Sequence, residues 1–240
     1  MSAVIPARNR FPVIGAAVLA IFIVICFART YYLKFLFHTP PLTLLAQVHG
    51  FFATVWLGLH YTQAKLIAAR RVDLHRKLGI FGAVVGALLA VQAIMLALAG
   101  AAAGRAPPGR DPLQFLSVPF GTTTIFAALL VGALAMRRRR DWHRRLMLLA
   151  TLALIVPAAG RLDLLLMAPL GLPRRWLAVV LTAAFLVWAC FNDFRRERRV
   201  HPAYLYGGLI LLVSIPLRAW IGTTGAWQPI AHWLVPASLN

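Results

Sequence analysis

The stretch Arg70-Arg71-Val72-Asp73-Leu74-His75-Arg76-Lys77-Leu78-Gly79 is a short charged segment between two long apolar runs. A close copy, Arg138-Arg139-Arg140-Asp141-Trp142-His143-Arg144-Arg145-Leu146-Met147, also has apolar runs on both sides. The two copies share the pattern R-R-x-D-x-H-R-[KR]-L. A helix that crosses a bilayer needs about 20 apolar residues, so each copy is interpreted as the connection between two membrane spans. We call them the first hinge (70–79) and the second hinge (138–147).

The composition is that of an integral membrane protein. Of the 240 residues, 61% are hydrophobic and 13% are charged, whereas soluble chains carry about 25% charged residues. The formal charge of +19 would suggest a nucleic-acid partner for a soluble domain. Here the basic residues lie in short segments between apolar runs, so orientation in a membrane explains them and we expect no nucleic acid.

The apolar runs predict an all-α, polytopic membrane protein with a single integral membrane domain. Seven spans are expected, at about 11–31, 42–66, 77–103, 113–136, 144–170, 174–194 and 203–221. Pro157 should interrupt the fifth span, and Pro216 should kink the seventh. Residues 222–240 contain two tryptophans and two prolines, which favours an interfacial aromatic tail over another span.

The distribution of basic residues predicts the orientation. If the hinges are cytoplasmic, the same side holds 17 of the 25 lysines and arginines, so the N-terminus is inside and the C-terminus outside. These 17 are Arg8, Arg10, Lys65, Arg70, Arg71, Arg76, Lys77, Arg137, Arg138, Arg139, Arg140, Arg144, Arg145, Arg195, Arg196, Arg198 and Arg199. The predicted location is the inner (cytoplasmic) membrane of a bacterium. The hinges also suggest an internal repeat of helical hairpins, spans two–three and four–five, although the positive-inside rule alone could produce two similar basic hinges.

One face of span two carries an unusual set of side chains. His49, Ala53, Trp56, His60 and Gln63 recur at steps of four and three, which places them on one side of a helix. One interpretation is that each histidine forms a hydrogen bond to a neighbouring helix. The other is that His49 and His60 ligate the iron of a b-type haem, with Trp56 beside the cofactor.

The haem interpretation needs further ligands. His49 and His60 are ~16 Å apart along the helix axis, so they cannot share one iron. The candidates are His75, His143 or His201 in the inner layer and His232 or His38 in the outer layer.

The hinges carry residues that could bind an anion. Asp73 and Asp141 are each placed to cap the helix that follows. The next residues, His75 with Arg76 and His143 with Arg144, then lie in a first helical turn, where backbone dipoles favour negative charge. The expected partners are anionic lipid headgroups, and the alternative is a dedicated phosphate-bearing ligand.

Three charged residues lie within predicted spans, namely Arg161, Asp163 and Arg218. Spans five and seven run in the same direction, so Asp163 and Arg218 are expected to form an intramembrane ion pair. Arg161 would then keep a spare positive charge. Arg161 and Arg218 are therefore further candidates for binding a small or lipid-like anion.

Leu74-His75-Arg76-Lys77-Leu78-Gly79 and Trp142-His143-Arg144-Arg145-Leu146-Met147 resemble a group of uncharacterised bacterial multi-pass membrane proteins with H-R-x-L-G motifs. The resemblance covers spans two to five and implies an architecture but no activity. A looser resemblance to four-helix b-type cytochromes depends on the paired histidines.

No P-loop, H-E-x-x-H or G-x-S-x-G motif is present, so no catalytic residue is predicted. Three hypotheses remain open. They are a haem or quinone-linked redox protein, a transporter or binder of an anion, and a non-catalytic subunit of a membrane complex or homo-oligomer. The last would use as its contact face the glycine ridge of span three, Gly79, Gly82, Gly86 and Ala90.

Overall fold

The computed structural model describes residues 10–165, the backbone of 166–167, Leu170, and residues 176–235. Within this part of the chain, all regular secondary structure is helical. The helices are α1 (Phe11–Phe27), α2 (Leu44–Ala68), α3 (Val72–Ala102), α4 (Pro112–Ala135), α5 (Arg140–Ala153), α6 (Ile155–Leu162), α7 (Leu177–Glu197), α8 (Gly208–Ile221) and α9 (Trp227–Leu234). Wider π-helical turns extend α1 over Ala28–Tyr32 and α6 over Asp163–Met167, and another, Ala203–Gly207, precedes α8. Arg8, Arg174 and Arg175, which the charge count included, lie outside the described residues.

Six helical stretches of the described chain are long and apolar enough to cross a membrane. They are Phe11–Tyr32, Val72–Ala102, Pro112–Ala135, Arg140–Leu165, Leu177–Glu197 and Ala203–Ile221. The architecture is therefore that of a multi-pass helical membrane protein, and the predicted all-helical class is confirmed. Helix α2 has 25 residues but is not one of the six, because its histidines and glutamines lower the mean hydropathy.

Both hinges are already helical where the sequence predicted connecting segments. Helix α3 begins at Val72 and α5 begins at Arg140, about one turn before the predicted starts at 77 and 144. The prediction that Asp73 and Asp141 cap these helices is wrong. The capping positions belong to Arg71 and Arg139, whose side chains make no capping hydrogen bond. Each aspartate lies in the first helical turn instead, where its charge stabilises the positive end of the helix dipole.

Helices α5 and α6 form one membrane-length stretch with a break at Leu154. Pro157 explains the break, because it has no N–H to donate to the carbonyl of Ala153. This stretch is the most buried of the six, and Leu149, Ala150, Ala158 and Ala159 have no exposed surface. The interrupted helix therefore lies in the middle of the bundle.

Helices α2, α3, α4 and α5 pack against one another in chain order. A close approach between them depends on Gly86. A Cβ atom at this position would lie 2.6 Å from Leu130 of α4 and 2.7 Å from the Trp56 ring of α2. At Gly82 a Cβ would meet nothing within 4 Å. Gly86 therefore takes part in close packing inside this chain, and Gly82 does not.

The predicted tail contains a short helix, α9. The indole N–H of Trp227 donates to the carbonyl oxygen of Leu113 at 2.8 Å, which ties α9 to the start of α4. Ala101, Leu116 and Val235 form a small apolar cluster between α3, α4 and this segment. The tail up to Val235 therefore packs against the helical bundle, and 236–240 lie outside the described residues.

Candidate functional site

The face of α2 that carries the histidines is turned towards α4 and α5. The side chain of Trp56 is 2% exposed. Its indole N–H donates to Oγ1 of Thr151 on α5 at 3.3 Å, and its ring lies edge-on to Phe126 of α4, with centroids 5.2 Å apart. Trp56 therefore serves as an interhelical contact. The same face holds two buried polar atoms without a hydrogen-bond partner, Nδ1 of His49 and Oε1 of Gln63.

The two hinges bring a histidine pair together. His75 of α3 and His143 of α5 occupy the same position in the repeated pattern, and their ring centroids are 6.2 Å apart with planes at 85°. His60 of α2 lies close enough to His143 to interact with it electrostatically. The inner-layer candidates His60, His75 and His143 thus converge at the end of the bundle that carries the hinges, which we call the basic end. His49 is not part of this group.

The two rings of the pair are held differently. Nδ1 of His143 is 2.8 Å from the carbonyl oxygen of Ala133 at the end of α4. A carbonyl only accepts hydrogen bonds, so Nδ1 of His143 carries a hydrogen and donates it to Ala133. Nδ1 of His75 is buried without a hydrogen-bond partner. The pair therefore offers one oriented imidazole and one with an unused ring nitrogen.

The second hinge is the centre of a buried ion-pair network. Arg145 is 1% exposed, and its guanidinium makes two hydrogen bonds to Asp193 of α7, from Nε at 2.8 Å and from Nη2 at 2.9 Å. Nη2 also lies 2.7 Å from Oε1 of Glu197. Arg144 contacts the same Glu197 oxygen at 2.7 Å and Asp141 at 2.9 Å. The network fastens the start of α5 to the end of α7.

His201, in the connection between α7 and α8, borders this network. Its backbone N–H donates to Asp193 at 3.3 Å, and its Nδ1 accepts the backbone N–H of Ala203 at 3.1 Å. Its ring stands edge-on to that of Trp142, with centroids 5.0 Å apart. Burial lowers the pKa of His201 and nearby Arg145 lowers it further, against the opposing effect of the surrounding carboxylates. A neutral ring also fits the geometry, since only an unprotonated Nδ1 can accept from Ala203.

The sequence analysis missed Asp193 and Glu197. A usable signal was present, because the chain has only six acidic residues and these two are four positions apart near the end of one apolar run. That spacing puts both carboxylates on one side of a helix. Their partner was not predictable, since the charge distribution assigns more than a dozen arginines to the same predicted side.

The first hinge lacks such partners. Arg76 and Lys77, which correspond to Arg144 and Arg145, are exposed. One ion pair is present in this hinge, between Nε of Arg71 and Asp73 at 3.6 Å, and both side chains are more than half exposed. The two copies of the motif therefore have opposite surroundings. In the second hinge Arg144 and Arg145 bind carboxylates of the same chain, and the corresponding Arg76 and Lys77 of the first hinge face outwards.

The charged residues within the spans are not brought together as expected. Arg161 donates to Oγ1 of Thr30 at 3.3 Å and to the carbonyl oxygen of Pro157 at 3.0 Å, and its guanidinium lies 3.8 Å from the centre of the Phe27 ring. Arg218 is 4% exposed, and none of its three guanidinium nitrogens has a hydrogen-bond partner. Arg218 therefore makes no hydrogen bond to Asp163, with which the sequence predicts an intramembrane ion pair.

A glycine on the neighbouring helix α4 makes room for the Arg218 side chain. A Cβ atom at Gly121 of α4 would lie 3.1 Å from both Cβ and Cδ of Arg218. A glycine here lets the aliphatic part of the arginine pack directly on the α4 backbone. The guanidinium is thus enclosed by the bundle, and a buried charge in this situation costs several kcal/mol unless it is neutralised.

Among the described residues, no group of three or more histidines, cysteines or acidic residues could hold a metal ion. The geometry thus defines a multi-pass helical membrane protein with a histidine pair and an ion-pair network at its basic end and a buried arginine in α8. No protein-family model matches the chain, and neither a curated protein nor a solved structure matches it.

Proposed function

We propose that the chain is a seven-span redox protein of the bacterial inner membrane and binds a b-type haem at its basic end. In this proposal α2 is the seventh span and the basic end is cytoplasmic, so the N-terminus is inside and the C-terminus outside. The basic residues support the orientation. The length of α2, 25 residues, is sufficient to cross a hydrocarbon core.

The observation that carries the haem proposal is the spacing of His75 and His143. Neutral imidazole suits iron as a ligand, so the two rings, which lie close together, would hold the haem iron. The observed separation is 6.2 Å. A metal bound by protein side chains alone needs three or four ligands, whereas a haem would need only its axial ligands from the chain, and His75 and His143 would supply them.

The surroundings of the pair agree with this role. Iron-bound histidines usually donate their other ring N–H to a carbonyl or carboxylate, which fixes the tautomer, and His143 does so through Ala133. A ligated haem would carry one-electron chemistry, and the chain would tune it by burial and by the cations of the basic end. The sequence analysis expected His49 and His60 each to ligate a separate iron with a partner on another helix. In this proposal two of the candidate partners, His75 and His143, are the ligands, and His60 stands beside them.

The test is a dithionite-reduced minus oxidised absorbance spectrum of protein purified in mild detergent, combined with a pyridine haemochrome assay. We expect Soret and α-band differences in the wild type and in His49→Ala, the distant control. They should be absent from His75→Gly and His143→Gly and be restored by imidazole in the buffer. Loss of the bands only in His49→Ala or His60→Ala would move the site to the α2 face. A flat spectrum from folded wild-type protein, expressed with haem supplied, would end the haem proposal.

A second candidate function, the binding of a small or lipid-like anion, is favoured by Arg218. Its guanidinium is enclosed without an acceptor, and an anion from outside the chain would supply the missing charge. Thermal unfolding in detergent tests this with inorganic phosphate and octanoate as probes. If the candidate is correct, one probe raises the melting temperature of the wild type and of Arg138→Met, an exposed control, but not of Arg218→Met. If Arg218→Met is simply more stable than the wild type and no probe acts, the anion function is wrong.

A further inference from the structure

An apolar groove lies beside the first hinge, where α2 ends and α3 begins. Its volume is about 460 Å³. The residues that line it are Thr62, Leu66, Leu74, Lys77, Leu78 and Phe81. Apart from the threonine hydroxyl and the lysine ammonium, the lining side chains are hydrocarbon. Leu74 and Phe81 are 37% and 53% exposed, so the groove opens to the outside of the bundle.

The charge next to the groove is uncompensated. Lys77 is exposed, and Arg70, Arg71 and Arg76 are exposed on the same hinge. Asp73 contacts Arg71 and is the one acidic residue of the hinge. The corresponding cations of the second hinge are already paired with Glu197 and Asp193. At Arg76 and Lys77 the first hinge therefore has positive charge beside the groove that an external partner can reach, whereas the corresponding Arg144 and Arg145 of the second hinge are already paired.

The backbone at Arg70 keeps a cation where a glycine would be less strained. Its φ angle is 60°, in the left-handed region that costs an L-residue roughly 1 kcal/mol or more. The turn between α2 and α3 thus holds an arginine at the position that best suits glycine. A positive charge at this corner is consistent with a partner that attracts it.

We propose that this groove is a binding site for an anionic phospholipid, with an acyl chain against the apolar lining and the phosphate at Lys77 and the neighbouring arginines. Headgroup-level cations next to a hydrocarbon groove match both ends of such a molecule. The site is independent of the histidine pair, which lies on the α5 side of α3. In this proposal the lipid binds beside the first hinge and not beside the second, although the sequences of the two hinges are nearly the same.

The test is native mass spectrometry of the detergent-purified protein titrated with phosphatidylglycerol and, separately, with phosphatidylcholine. Lys77→Glu is compared with Arg138→Glu, an exposed cation near the second hinge that changes the net charge equally. One cation contributes about fivefold to the binding of an anionic lipid. We expect Lys77→Glu to lower phosphatidylglycerol binding at least fivefold and Arg138→Glu to change it less than twofold.

A second variant tests the groove without altering charge. Thr62→Trp fills the apolar space and should also weaken phosphatidylglycerol binding at least fivefold. Equal losses in Lys77→Glu and Arg138→Glu would mean general electrostatic attraction and overturn the proposal. Equal binding of both lipids, or unchanged binding in Thr62→Trp, would overturn it as well. If inorganic phosphate at equal concentration displaced phosphatidylglycerol, the cations would be a site for free phosphate and the lipid proposal would be wrong.

Discussion

Replacing Asp193 with alanine should be among the most destabilising single changes in the chain. Asp193 is 4% exposed and makes two hydrogen bonds to Arg145, which is 1% exposed. Removing one partner of a buried ion pair costs about 3–5 kcal/mol, because the other charge stays buried without its counter-ion. Glu197 remains 2.7 Å from the same guanidinium and retains part of the compensation. We therefore expect a loss close to 3 kcal/mol for Asp193→Ala.

The assay is equilibrium unfolding in mixed micelles with increasing SDS, followed by helical circular dichroism. Glu197→Ala is the matched control, since its side chain is 31% exposed and its loss should cost about 1 kcal/mol or less. The double variant Arg145→Met with Asp193→Leu removes both charges. Its free energy of unfolding should lie within about 1 kcal/mol of the wild-type value. A loss below 1 kcal/mol for Asp193→Ala, or a double variant as unstable as the single one, would refute this account of the network.

Two further predictions concern the connections at the basic end. Burial and Arg145 lower the pKa of His201 from 6.5, so the unfolded chain binds a proton at higher pH than the folded chain does. The stability that His201 contributes is then complete above pH ~6.5 and falls as the pH drops towards the folded-state pKa. The free energy of unfolding should accordingly fall less between pH 7.5 and pH 5.5 in His201→Asn than in the wild type. An equal fall in both proteins would contradict the lowered pKa of His201. Arg70 and Arg198 have positive φ angles of 60° and 55°, so Arg70→Gly and Arg198→Gly should each stabilise the fold by roughly 1 kcal/mol. The same unfolding assay checks this, with Arg138→Gly as a control at which no gain is expected.

The all-helical, multi-pass architecture followed from the sequence because hydropathy is a local property. A run of apolar residues between basic segments predicts a membrane helix whatever its neighbours are. The helix starts in the hinges were predicted about one turn late, because arginine and lysine are good helix formers and charge alone does not end a helix. The break at Leu154 was expected from Pro157, whose missing N–H acts within one turn.

The candidate site was predicted less well. The histidines of α2 were correctly placed on one face, but helical periodicity cannot say which residue of another helix meets each ring. The rings of His75 and His143 have centroids 6.2 Å apart, although the two residues are 68 positions apart in the sequence. Arg218 was expected to pair with Asp163 because spans five and seven run in the same direction. The Arg218 guanidinium makes no hydrogen bond to it. The direction of a span predicts how deep a residue lies in the membrane, but not how its helix is rotated about its own axis.

The sequence by itself determined that the chain is helical, apolar and basic at one end, since each of these properties depends on residues within a few positions of one another. It also presented the two hinges as equivalent. Only the tertiary structure made them different, by placing the acidic end of α7 against the second hinge and leaving the first exposed. The contact between Arg145 and Asp193 depends on how α5 and α7 pack, and packing is decided by the fit of many side chains from distant parts of the chain.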